Sequence, residues 1–138
     1  MKQSSQSKKF MAIAAVFAML ATVSSAFVAH LLKDSFNAYQ LAIFQTGVFY
    51  QFIHSLGLLG VGLVYFHLPH RYIKLSGNLF IIGIILFSGS LYLISMLQMK
   101  SLGIMTPIGG LAFVLGWLCL AIGVYQHDVT ELDNSNQS

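Results

Sequence analysis

Gly83-Ile84-Ile85-Leu86-Phe87-Ser88-Gly89-Ser90-Leu91-Tyr92, a polar break at Lys100, then Thr106-Pro107-Ile108-Gly109-Gly110 running on to Gly116-Trp117: this stretch decides the fold. It contains two apolar segments of membrane length, joined by a corner punctuated with Pro and Gly. Small and hydroxylated residues are set inside otherwise apolar helices. In lipid, small residues let helix backbones approach closely, and hydroxyls bond across helices.

Composition extends this reading to the whole chain. Of 138 residues, 57% are hydrophobic and 8% charged, against about 25% charged in a soluble domain. Mean hydropathy is +0.76. No Asp, Glu, Lys or Arg occurs in 10–32, 35–70, 75–99 or 101–127. Each gap exceeds the ~20 residues that cross a bilayer core. The expected architecture is all-α, an integral membrane four-helix bundle with short loops. Its spans fall at about 10–30, 43–66, 76–98 and 106–125, after a basic tail over 1–9 and before a disordered acidic tail over 126–138.

The net charge of +3 does not indicate nucleic acid, because the seven basic residues are scattered over membrane flanks with no basic face. Their role is orientation. Lys2, Lys8, Lys9, Arg71 and Lys74 fall on one side, and Lys33 and Lys100 on the other. The Lys/Arg bias places both termini in the cytoplasm. The N-tail lacks an Arg-rich transit pattern, so a bacterial inner membrane is the expected location. Ser24-Ser25-Ala26 resembles a signal-peptide cleavage pattern, but the apolar run continues past it to Leu32.

Helical phase assigns faces. Ala15, Ala18, Thr22, Ser25 and Ala29 follow a 3-4-3-4 spacing within an ~80° arc. Gly109, Ala112, Gly116, Cys119 and Gly123 do the same in the fourth span. These stripes predict close packing of the first span against the fourth, or pairing of one of them across a dimer. Cys119 is alone, which rules out an intrachain disulfide. Thr106 and Pro107 suit the start of the fourth helix as cap and first-turn residue.

The second span is read as one long helix beginning near Phe36 and entering hydrocarbon around Ile43. It carries a polar seam of Asn37, Gln40, Gly47, Gln51, His54, Ser55 and Gly62, flanked by Thr46 and Tyr50. This face should point inward, because an unsatisfied polar group in hydrocarbon costs several kcal/mol.

His54 is the candidate functional residue, with Tyr50 and Gln51 beside it and His30, Ser88 and Tyr92 as further members of a polar seam. An imidazole at membrane depth is a functional hypothesis by default. Its structural alternative is a hydrogen bond across helices to Ser88 or Tyr92. His30 and His54 should differ in depth by roughly 15 Å, too far to share a haem or metal. His67 and His70 at the second connection form an HxxH interrupted by Pro69, a weak metal pattern. No carboxylate, Lys or Arg lies inside a span, which argues against a cation-coupled antiporter. No nucleophile–base pair or phosphate loop is present, so an enzymatic role, a cofactor or a metal site is not expected.

Four blocks resemble a known family. They are Ala26 to Lys33, Thr46 to Leu56, Leu86 to Leu93, and Leu102 to Gly110 with Gly116-Trp117. Together the chain resembles the small membrane proteins called domain-of-unknown-function 423, the YgdD-like inner-membrane proteins and transmembrane protein 256. Ser25 and Val28 stand where that family often has Gly. The resemblance implies four transmembrane helices and a retained first helix, and no activity. The expected function is a structural or accessory membrane component. Its partners would be the bilayer and either a homo-oligomer or another membrane protein. A small transporter or channel lined by the His54 seam is the alternative, and a redox cofactor protein a third reading.

Overall fold

The computed structural model describes residues 2–32 and 34–135, and the side chains of 5–32, 34–99 and 101–126. Four helices among them are long and apolar enough to cross a membrane. Helix α1 spans Lys2–Phe27 and continues as a wide π-turn over Val28–Leu32. Helix α2 spans Ala38–His67. Helix α3 spans Arg71–Leu97, with a π-turn at Ile84–Ser88. After a 3-10 turn at Lys100–Ile104, helix α4 spans Met105–Ser135.

Local chemistry sets these limits. Residues 2–32 contain neither Gly nor Pro, so α1 starts well before the expected Phe10. Asn37 caps α2: its side chain accepts from the Gln40 N–H at 2.9 Å, and the Gln40 side chain accepts from the Asn37 N–H at 3.1 Å. Pro69 follows the end of α2, and the His70 side chain caps α3 by accepting from the Tyr72 N–H. Gln98 ends α3 in the left-handed conformation, φ 55°. Pro107 lies in the first turn of α4 as expected, but Thr106 pairs with Ser90 at 2.7 Å. The α4 backbone runs beyond the expected boundary at Tyr125, because no Gly or Pro follows Gly123 to stop it. The side chains of 127–135 and all of 136–138, which hold the expected acidic tail, lie outside the described residues.

The four helices run up and down, with α2 and α3 in the middle. Helix α1 packs chiefly on α2, and α4 chiefly on α3. This overturns the expected pairing of the first span with the fourth. The reason is a second stripe on α1, one residue out of phase with the first. Ser7, Phe10, Ala14, Ala21 and Val28 are the buried residues. Ala15, Thr22, Ser25 and Ala29 are exposed, and Ala18 is half-buried. Close approach on that side depends on glycines of the neighbours. A Cβ on Gly77 would lie 2.6 Å from the Phe10 ring, and one on Gly62 would lie 2.7 Å from Met11 Cγ.

The α4 stripe is buried, apart from the half-buried Cys119, but against α3. Gly109 sits on the backbone of Phe87, Gly116 on the Phe80 ring and Gly123 on Ile73. The core between the helices comprises Phe10, Ala14, Leu58, Val61, Ile73, Phe80, Ile84 and Phe113.

Candidate functional site

The inward face of α2 holds the expected seam. Gln40, Gly47, Gln51, His54, Ser55 and Gly62 are all buried, and Asn37 is exposed as the cap. Thr46 and Tyr50 flank the seam and are exposed. The polar groups bond in layers down the bundle. In the first layer the Gln40 amide donates to the Ser95 carbonyl at 2.9 Å. In the middle layer the Gln51 amide donates to the Phe17 carbonyl of α1 at 2.8 Å. The Tyr92 hydroxyl of α3 donates to the Gln51 side-chain oxygen at 2.7 Å. Ser24 lies beside that hydroxyl, and Ser55 donates to the Gln51 backbone carbonyl. In the last layer Ser7 donates to the Gly62 carbonyl.

One carboxamide therefore joins three helices. It does so where protein is the only other source of hydrogen bonds, which makes each such bond expensive to lose. Two hydroxyls stand outside the network. Ser76 and Ser88 are fully buried, and their Oγ atoms have no partner among the described residues. Ser88 closes the π-turn of α3, where the widened backbone separates its carbonyl ladder from the regular pattern.

His54 does not reach Ser88 or Tyr92. Its Nδ1–H donates to the Tyr50 carbonyl one turn back at 2.8 Å, which leaves the Nε2 lone pair as the ring's other polar site. The ring stacks on Phe113 of α4, with centroids 3.5 Å apart and planes 9° apart. Tyr50, Phe80 and Trp117 surround it at centroid distances of 5.6–6.2 Å. The local carbonyl was closer than any cross-helix hydroxyl, and the apolar faces of His54 and Phe113 are best hidden against each other.

Of the expected site residues, Gln51 and Tyr92 bond directly, and Tyr50 and His54 stack beside them. Ser88 is buried without a partner among the described residues, and His30 is exposed on the terminal turn of α1. The Gln51–Phe17 bond sets the α1–α2 register, so His30 and His54 lie about 20 Å or more apart along the axis. Among the described residues no three His, Cys, Asp or Glu side chains come together.

Four members were not assigned to the network in the sequence. Ser7 was assigned to the tail, although it stands three residues before Phe10 on the buried stripe. Ser24 lies on that same stripe. Ser90 and Thr106 tie the α3–α4 corner.

Comparison with known proteins agrees with this architecture. The family described as "Protein of unknown function (DUF423)" matches residues 24–110. The chain is 40% identical over 115 residues to a UPF0382 membrane protein of Staphylococcus epidermidis, a match covering 83% of this chain and 93% of that one. It is 36% identical over 121 residues to the UPF0382 membrane protein YwdK of Bacillus subtilis, covering 87% and 98%. It is 32% identical over 116 residues to the UPF0382 inner membrane protein YgdD of Escherichia coli, covering 83% and 88%. No solved structure matches the chain.

Proposed function

Since the chain belongs to the DUF423 family of membrane proteins, which has no established activity, we propose that it is a structural or accessory component of the membrane and works without catalysis. One observation carries this reading. The Gln51 carboxamide, the most polar group at the middle of the bundle, is engaged at both ends by α1 and α3. A transport pathway would leave its polar groups facing open space. Here the seam's partners are backbone carbonyls and a phenol, and the imidazole of His54 is covered by Phe113. The seam reads as an adhesive between helices.

The membrane is proposed to be the bacterial inner membrane, as in the name of the YgdD relative. Both termini are proposed to be cytoplasmic, on the side holding five Lys and Arg against two.

Purified protein in liposomes tests the reading. Wild-type chain is expected to leave imposed proton and potassium gradients intact. His54→Ala is expected only to lower the melting temperature, by on the order of 5 °C or more, through the lost stack and hydrogen bond. Gradient dissipation by the wild type that His54→Ala abolishes in a folded protein would replace this reading with the transporter.

A further inference from the structure

Two helices carry stripes of small residues, and the structure uses only one of them internally. Gly109, Ala112, Gly116 and Gly123 of α4 are closed against α3. The stripe from Ala15 to Ala29 on α1 is open to the membrane. Beside it, between α1 and the N-terminal half of α2, runs a groove of about 710 Å³. Ala21, Val28 and Phe44 are its buried lining; Thr22, Ser25 and Gln45 bring polar groups to its exposed walls.

Gln45 distinguishes between occupants. It is exposed, and its carboxamide has no hydrogen-bond partner among the described residues. The Ser25 hydroxyl in the same groove likewise has none. Helix α2 is about 45 Å long, about 15 Å more than the hydrocarbon thickness, so each end projects by about 7 Å. Gln45 lies about 10 Å from the start of α2 at Ala38, which places it inside the hydrocarbon edge. An amide left free among lipid at that edge is unfavourable, and an acyl chain offers it neither donor nor acceptor. A second copy of the chain offers an identical amide. Amides are self-complementary, since each NH₂ can donate to the other's oxygen across a two-fold axis. The open stripe on the same side lets two α1 backbones approach closely.

We propose that this face is a homodimer interface, in which α1 packs against α1 of a second copy and Gln45 hydrogen-bonds across it. The proposal goes beyond the internal seam and stands whether that seam is structural or conducting.

Disulfide trapping in native membranes tests it. In a Cys119→Ala background, Ser25→Cys oxidised with copper phenanthroline is expected to run mostly as a covalent dimer. Leu111→Cys, on the exposed face of α4, is expected to stay monomeric. Adding Gln45→Leu or Thr22→Trp to Ser25→Cys should lower the dimer yield at least severalfold. As a measurement free of substitutions, native mass spectrometry of the wild-type chain released from lipid nanodiscs should give twice the chain mass. Equal trapping at Ser25→Cys and Leu111→Cys overturns the proposal. So does a wild-type monomer, and a monomer retaining phospholipid assigns the groove to lipid.

Discussion

Gly109→Ala is expected to destabilise the protein by about 3 kcal/mol, while Gly110→Ala, one residue further on, leaves stability unchanged or raises it by up to about 1 kcal/mol. The contrast comes from what a methyl group meets. At Gly109 it would overlap the Phe87 backbone nitrogen and lie 2.8 Å from the Phe87 Cα. Backbone cannot rotate away, so α3 and α4 would have to separate along the contact that also buries Gly116 and Gly123. At Gly110 the nearest atoms are on the Phe87 ring at 3.7 Å, an ordinary contact, and alanine gains its higher helix propensity. Gly60→Ala, with nothing within 4 Å, should behave like Gly110→Ala. Denaturant unfolding in detergent micelles measures all three. Equal costs at positions 109 and 110 would mean that α3 and α4 are not held at backbone contact.

The second large effect is at the middle layer of the seam. Gln51→Leu is expected to cost about 2–4 kcal/mol, since it removes the amide acceptor of the Tyr92 hydroxyl and the tie to the Phe17 carbonyl. Tyr92→Phe is expected to cost about 1–2 kcal/mol, leaving one buried acceptor unpaired. The double variant should cost little more than Gln51→Leu alone, because the second change removes a group already without its partner. A coupling of about 1–2 kcal/mol is the expected signature in the double-mutant cycle. Strict additivity would mean that the two side chains do not share a hydrogen bond.

Much of this was legible in the sequence because lipid imposes strong rules. Uncharged runs of span length gave the helices, and the phase of Gln40, Gln51, His54 and Ser55 gave the inward face of α2. The stripe on α4 was legible for the same reason. What the sequence left open was which of two stripes α1 would bury. Ala14, Ala21 and Val28 repeat as regularly as Ala15, Thr22 and Ala29, one residue away. The choice rests on Gly62 and Gly77, which make room for Met11 and Phe10 from another helix.

Side-chain partners were open for a similar reason. His54 had a backbone acceptor four residues back and an aromatic face on α4, and only the helix spacing decides that both are used. The π-turn at Ile84–Ser88 leaves no trace in periodicity, yet it sets where Ser88 stands. Gln45 is the opposite case. It lies off the seam and was not singled out in the sequence; its exposed position beside the α1 groove gives it meaning.

The central claim is that the polar seam of α2 is dry, with the side chains of Gln40, Gln51 and Ser55 bonded inside the protein. Ser55 tests it most directly, being 1% exposed at the level of Gln51. In the Cys119→Ala background, Ser55→Cys should resist a water-soluble maleimide in intact proteoliposomes and react fully once the protein is unfolded. Rapid labelling of the folded protein would reveal water along the seam and contradict the account.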